Sequence, residues 1–233
     1  MMQINLLNRS MNAYNSIPNY SLREDFASSM IHGAGFILAI IGMCLLIAYA
    51  SIYGNAWHVV SCSIYGSTLV LLYTASTLYH SIRLAKARKV LRVLDHSTIF
   101  LLIAGTYTPF TLVNLRGPWG WSLFGVIWAL AVIGILFQTT GFLKGAKVSV
   151  AFYVAMGWVV VVAIKPMLSL VDTGGLVLLL LGGVAYTTGV VFYVWRRMPY
   201  NHAIWHVFVV AGSTLHFFAI FLYVIPLNPP SII

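Results

Sequence analysis

Seven long apolar segments, almost free of charged residues, limit what this chain can fold into. A helix that crosses the hydrocarbon core of a bilayer needs about 20 consecutive apolar residues. Because lipid offers the backbone no hydrogen-bonding partners, such segments cross it as helices. Segments of suitable length lie at residues 29–51, 56–80, 94–115, 119–140, 148–168, 174–195 and 202–225. The sequence therefore predicts an all-α fold, a polytopic bundle of seven transmembrane helices.

The composition excludes a soluble fold of this size. Of the 233 residues, 61% are hydrophobic and 7% are charged, whereas an ordinary soluble domain carries roughly 25% charged residues. Both cysteines, Cys44 and Cys62, fall within apolar segments, where a free thiol behaves as a small hydrophobic group. They therefore predict neither a disulfide framework nor a cysteine metal site.

Most basic residues fall on one side of the predicted membrane. Of the 13 lysines and arginines, only Arg116 and Lys165 fall on the outer side. The other side has 11, namely Arg9, Arg23, Arg83, Lys86, Arg88, Lys89, Arg92, Lys144, Lys147, Arg196 and Arg197. The positive-inside rule then predicts a cytoplasmic N-terminus and an outer C-terminus. The formal charge of +9 thus reflects topology and anionic lipid headgroups, and we expect no nucleic-acid partner.

The two ends of the chain differ from the bundle. Residues 1–28 are polar and lack an apolar core behind a basic start, so we expect no cleaved signal peptide. We interpret them as a cytoplasmic tail, in which residues 20–27 form a short interfacial helix. Residues 29–225 are the membrane domain, and residues 226–233 are a short outer tail. The basic stretch 81–93 predicts a cytoplasmic helical turn.

Three histidines are candidates for metal ligands, because ionisable residues within membrane helices are costly and mark functional sites. His202 and His206 begin the last segment with a spacing of four, which projects both imidazoles from one helix face. His80 ends the second segment. Because that segment runs inward and the last begins inside, all three should lie near the cytoplasmic face. The shared depth of the three histidines, together with the spacing of two of them, predicts a zinc site, although imidazole also suits other transition metals.

One acidic residue is predicted at the same depth. Asp95 begins the third segment on the cytoplasmic side, whereas the other acids are Glu24, Asp25 and Asp172. Three histidine ligands leave one position of a tetrahedral zinc ion open, as in catalytic sites. We therefore predict that Asp95 orients the zinc-activated water and accepts its proton. Ser76, one turn from His80, is predicted to hydrogen-bond this carboxylate, the water or a substrate carbonyl.

The other four histidines are weaker candidates. His58 lies at the outer end of the second segment, and His96 is turned about 100° from Asp95 on an ideal helix. We interpret both as structural, because membrane histidines commonly hydrogen-bond across helices. His32 is placed to support the metal ligands, while His216 lies nearly three turns deeper than His206.

Four short motifs resemble those of a known family. They are Glu24-Asp25 followed by His32-Gly33, residues 75–80 (ASTLYH), Leu94-Asp95-His96 with residues 104–110 (AGTYTPF), and residues 199–206 (PYNHAIWH). Together they resemble the hemolysin III family, within the progestin and adipoQ receptor (PAQR) superfamily that includes the adiponectin receptors. The resemblance covers the chain from about residue 20. Ser28 and Ile31 depart from it, since Asn and Thr are expected there.

The resemblance implies a seven-helix bundle, zinc held by His80, His202 and His206, and a water hydrogen-bonded to Asp95. It also implies a location in a bacterial inner (plasma) membrane. The superfamily is linked to hydrolysis of ceramide and other lipid amides, which suggests a zinc-dependent membrane hydrolase of a lipid amide or ester. One alternative is a receptor or lipid sensor with structural zinc. A pore-forming haemolysin, suggested by the family's label, fits less well because the segments lack the regular polar face of an aqueous pore.

Overall fold

The computed structural model describes residues 20–140 and 146–226. Within these ranges it contains seven helical spans that are long and apolar enough to cross a membrane. The predicted all-α, seven-helix architecture is thus confirmed. Predictions about residues 1–19 and 227–233 lie outside the described residues.

The spans are built from eight α-helices. Their bounds are α1 Leu22–Tyr53, α2 Ala56–Ser81, α3 Ala85–Pro109, α4 Pro118–Thr140, α5 Ala146–Gly157, α6 Ile164–Leu170, α7 Thr173–Val194 and α8 Asn201–Tyr223. Helix α3 continues into a π-helical turn at Phe110–Asn114. Helices α5 and α6 belong to one span, because the 3₁₀ segment Trp158–Ala163 joins them.

Two helices begin differently from the sequence prediction. Helix α1 starts at Leu22, where the Ser21 side chain accepts a hydrogen bond from the backbone of Glu24. Within the short interfacial helix predicted at residues 20–27, residues 22–27 are helical, and they run into the first span without a break because this N-cap starts one continuous helix. Likewise, the predicted turn over 81–93 is mostly the beginning of α3, which starts at Ala85. Both segments thus form helical extensions at the same end of the bundle.

Helix α1 places mostly small and polar residues inside the bundle and large apolar residues on its outer face. In α1, the buried positions include Ser28, His32, Gly35 and Ala39 at helical spacing, whereas Ile37 and its neighbours face outward. This arrangement suits a membrane protein, since small residues let helices approach closely and lipid solvates the outer face. Helix α2 is the most enclosed span and packs between α1 and α3. Helix α8 packs against α1 and α7, which brings it close to α2.

The close contact between α2 and α3 depends on Gly105. A Cβ atom there would overlap the side chain of Thr68, whose hydroxyl donates to the Tyr65 carbonyl at 2.7 Å. We expect Gly105→Ala to destabilise the protein by about 1–3 kcal/mol, because overpacking forces the helices apart. Thermal unfolding in detergent, measured in the presence of a metal chelator, would show a lower Tm.

Gly125 in α4 provides the matched control for this prediction. It is exposed, and a Cβ atom there would meet nothing within 4 Å. Alanine is the better helix former, by roughly 0.5–1 kcal/mol, so Gly125→Ala should leave Tm unchanged or raise it. Equal Tm values for the two variants would contradict the importance of the α2–α3 contact.

Candidate metal centre

Three histidines converge at one end of the bundle. His80 lies in the last turn of α2, while His202 and His206 lie in the first two turns of α8. The Nε2 atom of His80 is 3.2 Å from that of His202 and 3.1 Å from that of His206. All three residues are buried, and their ligand atoms lie within 4.8 Å of one another. The structure thus brings together the three residues that the sequence proposed as ligands.

The geometry and chemistry of these nitrogens fit a metal ion. Two ligands at about 2.0–2.1 Å from a tetrahedral zinc ion lie about 3.3 Å apart, close to the separations in this site. Hydrogen bonding alone explains the arrangement poorly, because one imidazole lone pair cannot accept from two neighbouring rings. Three buried lone pairs that face one another repel unless a cation lies between them. The group of His80, His202 and His206 can therefore hold a metal ion.

A carboxylate that the sequence analysis did not select lies behind His80. The Oδ1 atom of Asp25 is 2.9 Å from Nδ1 of His80, and Arg88 from α3 donates to both carboxylate oxygens. An ionised carboxylate only accepts hydrogen bonds, so Nδ1 carries the proton and Nε2 presents its lone pair to the centre. The sequence placed Asp25 ahead of the first segment. The helix in fact begins at Leu22, three residues before Asp25, so Asp25 lies within its first turn.

Residues from the start of the described chain also cover His202. The ring of Tyr20 stacks on this histidine, with centroids 4.6 Å apart, and its hydroxyl lies 3.2 Å from Nδ1. Glu24 accepts a hydrogen bond from the backbone N–H of His202 at 3.3 Å. Burial raises the pKa of the Tyr20 phenol well above its usual range. The phenol therefore stays protonated and can donate to, or accept from, the imidazole.

Asp95 and Ser76, the two predicted catalytic residues, lie at the same end of the bundle. Asp95 is buried in α3, with Oδ2 3.5 Å from Nδ1 of His96. Ser76 is fully buried one turn from His80, and its hydroxyl has no hydrogen-bonding partner among the described residues. Both residues thus lie on helices whose ends are shared with the histidine group, and their catalytic roles stay predictions.

The remaining histidines have other surroundings. Nδ1 of His58 contacts the Asn55 side chain at 3.0 Å, Nδ1 of His96 lies 2.9 Å from the Arg92 carbonyl, and Nε2 of His216 lies 3.1 Å from the Leu179 carbonyl. These contacts hold the side chains within or between helices. His32 lies against the metal centre, because its ring centroid is 3.7 Å from that of His206.

Comparison with known proteins now assigns the chain to a family. The family model described as haemolysin-III related matches residues 20–217, which cover every residue of the histidine centre. The chain belongs to the haemolysin-III family. This confirms the resemblance to the hemolysin III family and its PAQR superfamily.

Relatives of the haemolysin-III family match over most of their length. Hemolysin-3 of Bacillus cereus is 47% identical over 205 residues, covering 88% of this chain and 94% of the relative. The Hemolysin-3 homolog of Bacillus subtilis (strain 168) is 42% identical, covering 88% and 96%. The human monocyte to macrophage differentiation factor is 30% identical, covering 86% and 84%. No solved structure gives a significant match to this chain.

Proposed function

We propose that this haemolysin-III family protein is a zinc-dependent membrane hydrolase that cleaves a lipid amide or ester. The observation that carries the proposal is the convergence of three buried Nε2 atoms at one end of a membrane bundle. Three histidine ligands leave one tetrahedral position for water or substrate. When bound, zinc supplies Lewis acidity, which polarises a carbonyl and lowers the pKa of water towards about 7.

We propose that two other residues activate the water and stabilise the oxyanion. Asp95, buried at the same end, orients the attacking water and accepts its proton. The Ser76 hydroxyl has no partner among the described residues, so it is available to donate a hydrogen bond to the developing oxyanion. At the helix ends the site would lie near the polar headgroups of the lipids, which suits a substrate whose acyl chain stays in the bilayer. Attack of water at the carbonyl breaks the amide or ester bond; the proton taken by Asp95 passes to the leaving amine or alcohol, which departs together with the fatty acid.

The test is turnover of lipid amides and esters by the purified full chain. Protein loaded with zinc in mixed micelles should release fatty acid from at least one member of a panel of ceramides, acyl amides and acyl esters. Removing the metal with a chelator should abolish release, and adding zinc back should restore it. If no member of the panel is cleaved by protein shown to contain one zinc ion per chain, the hydrolase proposal is overturned.

A receptor or lipid sensor with structural metal is the second candidate. The observation that favours it is the number of helices joined at the centre. His80 belongs to α2, His202 and His206 to α8, and the Asp25–Arg88 pair adds α1 and α3. Metal that holds four helices together can stabilise one packing arrangement over another. Loss of thermal stability on chelation, together with ligand-dependent shifts in Tm but no product, would favour this candidate over the hydrolase.

We also propose the bacterial inner membrane as the location, with the N-terminus in the cytoplasm. Two bacterial relatives and the distribution of basic residues support this orientation. The metal centre would then face the cytoplasm, because it lies at the end where α1 begins.

A further inference from the structure

A buried ion pair, formed by two residues that are not among the three candidate ligands, contacts one of those ligands. Asp25 is only 2% exposed, and its Oδ1 atom lies 2.9 Å from Nδ1 of His80. Nη2 of Arg88 donates to Oδ1 at 2.9 Å and to Oδ2 at 2.8 Å. One carboxylate therefore joins the beginning of α1, the end of α2 and the beginning of α3.

The position of this carboxylate has a direct consequence for His80. An imidazole that binds metal through Nε2 must carry its proton on Nδ1, and an acceptor at Nδ1 fixes both the tautomer and the ring orientation. A negatively charged acceptor also makes Nε2 a stronger ligand. Arg88 keeps the carboxylate in place with two hydrogen bonds, which restrict its rotation.

The other two ligands have different partners at Nδ1. His202 meets the neutral hydroxyl of Tyr20 at 3.2 Å. His206 has no partner for Nδ1 among the described residues. His80 is thus the ligand whose orientation is set by charge, and it is also the one that contacts both of the other Nε2 atoms.

We infer that Asp25 is a positioning residue for the metal ligand His80, and that Arg88 holds Asp25 in the required orientation. The inference rests on the metal site of the proposed function, but it requires no hydrolytic activity. Its distinctive consequence is that two residues outside the ligand set control metal affinity.

A graded loss of zinc affinity is expected from three substitutions. Removing an outer-shell partner of a metal ligand typically lowers metal affinity about 10- to 100-fold. Asp25→Ala should lie near the upper end of that range, because it removes the acceptor altogether. Asp25→Asn keeps the shape and an acceptor oxygen but loses the charge, so its loss should be smaller. Arg88→Gln leaves the carboxylate next to His80 but frees it to turn, and should also weaken binding.

The experiment measures zinc affinity of the full chain in detergent by competition with a chromophoric chelator. Asp172→Asn is the control for the lost carboxylate, because Asp172 is exposed and precedes α7 at the opposite end of the bundle. Lys89→Gln is the control for the lost cation, because Lys89 is exposed and adjacent to Arg88. Both controls should bind zinc like the wild type.

Two further measurements separate positioning from general stability. The Tm of each metal-free variant reports folding without zinc, and affinities are compared at a temperature where all variants are folded. The visible spectrum of bound Co²⁺ reports the ligand geometry, so it should change in the Asp25 variants and stay unchanged in the controls. A merely structural role would lower Tm without altering this spectrum.

The outcomes distinguish this inference from the proposed function. If the wild type binds zinc and Asp25→Ala, Asp25→Asn and Arg88→Gln bind it equally well, the inference is overturned and the metal site stands. A wild-type protein that binds no zinc overturns both. If Asp25→Ala does not fold, the comparison of Asp25→Asn and Arg88→Gln with their controls decides the question.

Discussion

Replacing His202 by alanine should remove most of the bound metal from the purified protein. Structural zinc sites have apparent binding free energies of about 10–16 kcal/mol, so one ligand among three or four accounts for roughly 3 kcal/mol or more. A loss of that size weakens binding more than about 100-fold. His206→Ala should have the same effect, because Nε2 of His206 also lies close to Nε2 of His80, at 3.1 Å. Elemental analysis after dialysis checks this directly.

The matched control for the loss of an imidazole is His58→Ala. His58 is also mostly buried, but its Nδ1 contacts Asn55 at the N-terminus of α2, at the other end from His80. Its metal content should equal that of the wild type, even though the loss of a helix-capping contact costs about 1 kcal/mol of stability. Equal metal content in His202→Ala, His206→Ala and wild type would show that the three histidines do not form the binding site.

The histidine group could be predicted from the sequence because two simple constraints acted on the same residues. The spacing of four put His202 and His206 on one face, and the alternation of membrane spans put His80 at the same depth. The structure brings these three residues together within 4.8 Å. Such an inference is easier for a membrane bundle than for a soluble fold, because the alternating direction of the spans determines which helix ends lie on the same side of the membrane.

Asp25 could not be found in the same way. Its contacts with His80 and Arg88 span 55 and 63 residues of sequence, and no regular spacing indicates them. The boundary of α1 concealed the contact further, because the sequence places residues 20–27 in a short interfacial helix of the tail, whereas Ser21 caps a helix that continues from them into the first span. Charged residues at a helix start lower hydropathy, so a hydropathy pattern places the boundary too late when those charges are buried by partners from other helices.

Replacing Asp95 by asparagine should abolish hydrolysis while leaving the metal in place. Asp95 belongs to α3 and is absent from the histidine group that can hold the ion, so metal content should match the wild type. Asparagine cannot accept a proton from water, and the loss of a general base typically lowers the rate about 10²- to 10⁴-fold. The decrease should fall on kcat more than on KM, since the carboxylate acts on the water and not on the acyl chain.

The measurement requires a lipid substrate found in the panel described above, assayed with zinc-loaded wild type, Asp95→Asn and the control Asp172→Asn. Ser76→Ala adds a comparison, because one lost oxyanion donor costs about 10²- to 10³-fold in kcat. Unchanged turnover in Asp95→Asn would exclude Asp95 as the general base and would make Glu24 the next residue to test, because its carboxylate contacts the backbone of His202 at the same end of the bundle. Loss of metal in Asp95→Asn would instead show that Asp95 helps to hold the metal. Only unchanged metal content with lost turnover supports the proposed role of Asp95, because a residue needed for packing or metal retention would alter both.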